Sequence, residues 1–153
     1  MAALPGFRFS LALSGALLLA LPALAGDSLF KPKPRADALL PVDQAFQFQG
    51  ARREGGALKL QWTVAPGYYL YRHMLKVSVD SPAKLSLAPL QLPKGEGKQD
   101  PEFGAVEIYR GQLLAHIPLA ADVPLPRTLR VRYQGCADIG VCYPPQTKLV
   151  AVP

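Results

Sequence analysis

Between Leu58 and Val64 every second residue is apolar: Leu58, Leu60, Trp62 and Val64 are separated by Lys59, Gln61 and Thr63. A period of two places the apolar side chains on one face of a strand, where a helix would need a period near 3.6. The pattern recurs at Phe46 and Phe48, at Leu75, Val77 and Val79, at Leu85 and Leu87, and at Val106 and Ile108. It returns at Leu113, Ala115 and Ile117, at Leu129, Val131 and Tyr133, and in a last short run from Leu149 to Val152. Turn chemistry separates the runs: Gly55-Gly56, Pro66-Gly67, Ser81-Pro82, Pro93-Lys94-Gly95 and Pro124-Leu125-Pro126. Beyond the N-terminal segment no stretch keeps a helical period over three turns. Seven or more short strands predict an all-β chain, an immunoglobulin-like antiparallel β-sandwich. The Cys…Trp…Cys order of antibody domains is absent, because Trp62 precedes both cysteines.

The N-terminal segment has a different character. Arg8 is the only charged residue before Asp27, and an apolar run from Phe9 to Leu21 leads into Pro22-Ala23-Leu24-Ala25. A basic start, an apolar middle and small residues before a cut are the order of a secretory signal peptide, assigned to 1–25. The run is shorter than a membrane span of about 20 residues and breaks at Pro22, so cleavage is favoured over an uncleaved anchor. Residues 26–38, with Lys31-Pro32-Lys33-Pro34-Arg35, read as an extended arm. Residues 39–153 form the folded domain. An exported domain meets an oxidising compartment, which permits disulfides.

Composition narrows the function classes. The 153 residues suffice for one domain with a core and not for two ordinary ones. Net charge is +6, but the 17 basic residues are scattered without a dense run, which argues against nucleic acid. Two cysteines cannot supply a four-thiolate zinc or iron–sulfur site. His73, next to Met74, makes a copper site conceivable, yet neither His73 nor His116 lies near a cysteine in sequence. No metal and no cofactor is expected, and the histidines read as ordinary surface or half-buried residues.

The informative segment is Tyr133-Gln134-Gly135-Cys136-Ala137-Asp138-Ile139-Gly140-Val141-Cys142-Tyr143-Pro144-Pro145. Glycines supply bends, and a loop this short can fold back to bring the cysteines within disulfide range, below about 7 Å between Cα atoms. Closing a loop of this size stabilises by roughly 2.4 kcal/mol, near the low end for a disulfide. Short, exposed loops are also where exchangeable disulfides occur. Spacing alone leaves a structural staple and a redox pair equally open. Pro144-Pro145 ends the loop rigidly and leaves the next strand at an edge.

This segment resembles the N-terminal periplasmic domain of the DsbD thiol:disulfide interchange proteins. Three further stretches agree in order: Leu40-Pro41-Val42-Asp43-Gln44-Ala45-Phe46, Gly67-Tyr68-Tyr69-Leu70-Tyr71-Arg72 and Glu107-Ile108-Tyr109-Arg110. The resemblance implies an immunoglobulin-like sandwich and an oxidoreductase of the Gram-negative periplasm, a protein-disulfide reductase acting as a monomer. It implies reduction by a thioredoxin-like donor domain, then reduction of oxidised thioredoxin-fold partners, among them disulfide isomerases and cytochrome c maturation proteins. It assigns the intermolecular role to Cys142 and the resolving role to Cys136. The alternative is an exported β-sandwich that binds a partner and carries a structural disulfide.

Two departures from the family stand out. Relatives continue into a membrane domain and a C-terminal thioredoxin domain, whereas this chain stops at Pro153. The expectation is therefore a fragment with its membrane-embedded reductant in cis, or a domain reduced in trans. At Asp100-Pro101-Glu102-Phe103-Gly104, the position of the family's cap over the cysteines, relatives commonly place two aromatics before the glycine. Here only Phe103 remains. Phe103 is the expected shield of the cysteine pair, as against packing on the sandwich edge. Tyr69 and Tyr71 share a strand face and read as packing residues, but the resemblance moves them next to the cysteines. Asp100, Glu102 and Asp138 read as solvated loop charges; near the thiols they would disfavour the thiolate.

Overall fold

The computed structural model describes residues 39–82, 84–121 and 124–153. The expected signal peptide (1–25) and arm (26–38) lie outside the described residues. Among the described residues ten strands form three antiparallel sheets: β1 (Phe46–Glu54), β2 (Ala57–Val64), β3 (Tyr68–Tyr71), β4 (Lys76–Ser81), β5 (Glu96–Asp100), β6 (Gly104–Tyr109), β7 (Gln112–Pro118), β8 (Thr128–Tyr133), β9 (Gly135–Ala137) and β10 (Gln146–Ala151). One helical turn, Val42–Ala45, precedes β1, and a 3-10 turn, Arg72–Met74, follows β3. Among the described residues no helix is long and apolar enough to cross a membrane.

The order β1-β2-β7 makes one layer and β10-β8-β4 the other. Their inward faces are the alternating residues of the sequence: Leu58, Leu60, Trp62 and Val64 from β2, Leu113, Ala115 and Ile117 from β7, and Leu129, Val131 and Tyr133 from β8 are all buried in one cluster. Burial of apolar surface holds the layers together. Phe48 packs on Trp62 within one layer (4.7 Å), and Trp62 meets Tyr133 of the other edge-on at 6.0 Å between centroids. The antiparallel, immunoglobulin-like β-sandwich expected from the sequence is the observed architecture. As Pro144 and Pro145 suggest, β10 lies at a sheet edge.

Two strand expectations need correction. Leu85 and Leu87 form no strand: residues 84–95 run irregularly, apart from a single bridge between Gln91 and His116. Pro82, Pro89 and Pro93 lack the N–H that a ladder needs, and Leu87, Leu90 and Leu92 pack against the core without one. Conversely, Glu96–Asp100 is a strand although it carries no apolar alternation. Its pairing with β6 from Glu96↔Ile108 to Asp100↔Gly104 supplies what its side chains do not.

The third sheet, β5-β6-β3-β9, positions the site. Its strands continue those of the sandwich through short links: Ala65-Pro66-Gly67 joins β2 to β3, Arg110-Gly111 joins β6 to β7, and Gln134 joins β8 to β9. Core strands therefore lead directly into the strands that carry Tyr69, Tyr71 and Cys136.

Candidate functional site

Cys136 sits in β9, opposite Tyr69 of β3 in the ladder, and is fully buried. The chain then turns at Asp138-Ile139-Gly140 and returns along β9, with Ala137 N–H donating to the Val141 carbonyl (2.8 Å) and Tyr143 N–H to the Gly135 carbonyl (3.0 Å). That return brings Cys142 opposite Cys136, with Cα atoms 3.9 Å apart, and the two form a disulfide. The two sulfurs occupy different surroundings. Cys142 is exposed, and its neighbours Val141 (40% exposed) and Ile139 (70%) present apolar side chains to solvent.

Gly135 is required where it stands. A Cβ there would lie 2.3 Å from the Tyr69 carbonyl oxygen and 2.6 Å from the Phe46 ring. Only glycine allows β9 to approach β3 this closely.

Tyr71 connects the pair to the β5–β6 hairpin. Its Oη lies 3.4 Å from Cys136 Sγ and donates a 2.6 Å hydrogen bond to Asp100 Oδ2. The other Asp100 oxygen accepts from the backbone N–H of Glu102 (2.9 Å) and Phe103 (3.1 Å), so the buried carboxylate also shapes the turn that presents Phe103. Gly104, at φ +71°, closes that three-residue hairpin. Hydrogen bonding by Tyr71 holds the Asp100 carboxyl below its ordinary range against the opposing effect of burial, with help from the backbone donors and Lys98. Burial first, then the bond to Asp100, pushes the Tyr71 phenol well above its usual value. The pair is thus locked as phenol and carboxylate.

Phe103, 43% exposed, packs edge-on against Tyr71 (5.5 Å between centroids) and against His73 (5.0 Å). Tyr69 meets Tyr71 edge-on at 5.3 Å. Both tyrosines are buried with Ile108 and Cys136 in a small cluster apart from the main core. Of the residues singled out in the sequence, Tyr69, Asp100, Phe103 and Cys136 all meet Tyr71, and Tyr69 also pairs with Cys136 in the ladder. Glu102 is exposed and reaches the site through its backbone N–H. Among the described residues no cluster of three or more His, Cys, Asp or Glu could hold a metal.

Three residues of this neighbourhood are not tied to the site by the sequence. His73, expected as an ordinary surface or half-buried residue, is exposed and packs against Phe103. Lys98 Nζ lies 5.1 Å and Arg110 Cζ 5.3 Å from the centre of the Tyr69 ring. Arg110 also forms a two-pronged pair with Asp138, at 2.9 and 2.7 Å. Arg110 stood in one of the stretches that carry the resemblance, but nothing local tied it to the cysteines.

Comparison with known proteins agrees with this geometry. The family described as "Thiol:disulfide interchange protein DsbD, N-terminal" matches residues 36–153. Thiol:disulfide interchange protein DsbD 2 of Pseudomonas aeruginosa is 43% identical over 137 residues, covering 86% of this chain and 22% of that protein. DsbD of Cronobacter sakazakii is 44% identical over 135 residues, covering 88% and 22%. The chain thus spans under a quarter of the length of these relatives. Among solved structures, the reduced DsbD N-terminal domain of Neisseria meningitidis superposes with a TM-score of 0.65 at 34% identity, over 74% of this chain and 88% of that one. A structure of the complex between the DsbD and PilB N-terminal domains of the same organism gives 0.64 at 33% identity, over 76% and 88%.

Proposed function

Because the chain belongs to the family of DsbD N-terminal domains, we propose that it is a thiol–disulfide exchange domain that carries two electrons to oxidised thioredoxin-fold proteins through Cys136 and Cys142. The observation that carries this reading is the asymmetry of the pair: Cys142 is an exposed residue beside an apolar hairpin tip and Cys136 is fully buried behind it. A staple gains nothing from such an arrangement, whereas exchange needs one sulfur that a partner can reach and one that it cannot.

In the dithiol form the Cys142 thiolate attacks the partner's disulfide, forming a mixed disulfide and releasing one partner thiolate. Cys136 then loses its proton and attacks Cys142 Sγ. The intramolecular disulfide forms and the second partner sulfur leaves, so the partner gains two electrons and two protons. In the dithiol form the buried Cys136 S–H can donate to the Tyr71 oxygen, whose own proton is committed to Asp100, a bond that favours the thiol over the thiolate. Phe103 is the cap that limits access of small oxidants until a partner displaces it.

The setting follows the same reading. The domain works in the periplasm after removal of residues 1–25, and a membrane-embedded reductant, in cis or in trans, regenerates the dithiol. The complex described for the Neisseria domain makes another N-terminal domain the type of partner to test first. The deciding experiment is trapping. Cys136→Ala should accumulate a mixed disulfide with an oxidised thioredoxin-fold protein through Cys142, and Cys142→Ala should trap little. Equal trapping by both variants overturns the assigned roles, and failure of the wild-type dithiol to reduce any such protein overturns the function.

A further inference from the structure

Cys136 and Cys142 are held in place by different means. Cys136 lies in β9 and is fixed by the ladder to β3 whether or not the disulfide exists. Cys142 lies outside the strands, exposed, between the turn at Asp138-Ile139-Gly140 and Tyr143, whose N–H donates to the Gly135 carbonyl. When the disulfide opens, the covalent tie on that turn is gone.

Backbone bonds and the anchored Tyr143 remain on the far side, and one side chain grips the turn itself. Arg110, in the link after β6, donates from both terminal nitrogens to the two oxygens of Asp138, and also to the Tyr68 carbonyl oxygen at 3.3 Å. The Asp138 N–H meanwhile donates to the Gly67 carbonyl at 2.8 Å. The guanidinium lies over the Tyr69 ring, with Glu96 3.6 Å away as a second carboxylate. Since β6 pairs with β3 and β3 with β9, Arg110 reaches past β3 to hold the far hairpin. A planar fork with two parallel bonds fixes direction as well as distance, which a lysine cannot do.

We infer that Arg110 is a positioning residue that keeps the Cys142 thiol close to Cys136 in the dithiol form, and so sets how readily the pair closes. The inference rests on reading the pair as an exchanging disulfide. For the reaction in which two glutathione molecules reduce the protein disulfide to a dithiol and leave as oxidised glutathione, the clamp favours the disulfide side. Without it the reduced hairpin gains freedom that the oxidised hairpin, tied by its bond, does not. The effective concentration of one thiol at the other then falls.

The test is the equilibrium constant of that reaction in glutathione buffers. Arg110→Ala, Arg110→Lys and Asp138→Asn should each move it toward the dithiol by roughly three- to tenfold, tenfold being about 30 mV for a two-electron couple. Arg110→Ala combined with Asp138→Asn should move it no further than either alone, because both remove the same contact. Charge acting without position gives another pattern: Ala and Asn shift in opposite directions and Lys matches wild type. That pattern overturns the inference, as do constants within twofold of wild type in variants with native circular dichroism. Asp138→Asn, which preserves size, decides the matter if Arg110→Ala perturbs the fold. Glutathione is used because its equilibrium is independent of any protein partner. Failure of the proposed function shows separately, as a wild-type dithiol that reduces no thioredoxin-fold disulfide.

Discussion

The hydroxyl of Tyr71 stands between a sulfur and a carboxylate: it lies 3.4 Å from Cys136 Sγ and gives its only proton, over 2.6 Å, to Asp100. The side of its oxygen that faces the sulfur can only accept. A thiol at Cys136 can therefore donate to it, and a thiolate finds no donor there. In the Cys142→Ala background Tyr71→Phe should speed alkylation of the Cys136 thiol several-fold in stopped flow. It should also cost about 1–3 kcal/mol in urea unfolding, since a buried carboxylate loses its shortest donor. Unchanged or slower alkylation contradicts the acceptor role.

Asp100 gives the fold a pH dependence of known sign. Its carboxyl is held below 3.8 by the Tyr71 hydroxyl and then by backbone donors. A group depressed in the folded state stabilises above its unfolded value, and that contribution is lost as pH falls through the folded value. Wild type should therefore exceed Asp100→Asn in Tm most clearly near neutral pH, with the gap shrinking below about pH 4. Glu54 and Asp138 are depressed as well, so the difference between the two proteins is the reading, not the wild-type curve alone. A gap independent of pH from neutral down to acid unfolding removes the carboxylate from the account.

Phe103 touches the site through Tyr71 and is nearly half exposed, so truncating it should cost only about 1 kcal/mol. Phe103→Ala should leave circular dichroism unchanged and speed alkylation of the reduced pair by a small reagent several-fold in stopped flow. His73→Ala, which removes the other ring against Phe103, should act in the same direction and more weakly. Rates equal to wild type in both variants eliminate the cap, leaving Tyr69 and Tyr71 as the remaining shield.

Gly135→Ala should be the most damaging single methyl in the domain. Its Cβ meets a backbone carbonyl, which cannot rotate away, and a Phe46 ring already packed edge-on at 5.3 Å against Tyr143. A loss of at least about 2 kcal/mol in denaturant unfolding is expected, with faster reduction of the disulfide as β9 lifts from β3. A variant of native stability shows that β9 can shift to make room.

The local pattern of residues determined the sandwich. Period-two alternation in β2, β7 and β8 marks which side chains must leave water, and those are the buried ones. The six-residue separation of Cys136 and Cys142, with Gly140 between, likewise made a closed loop readable as sequence. Only the tertiary structure decided which sulfur is exposed, because nothing near either cysteine records that β9 lies against β3 while the return strand stays outside. It alone joined Tyr71 to Asp100 across 29 positions and Arg110 to Asp138 across 28. It also made a strand of Glu96–Asp100, which has no alternation of its own and is held by backbone pairing with β6. A hydrophobic period reports burial one strand at a time, whereas the chemistry of this site comes from three strands and two turns whose neighbours are set by ladder register.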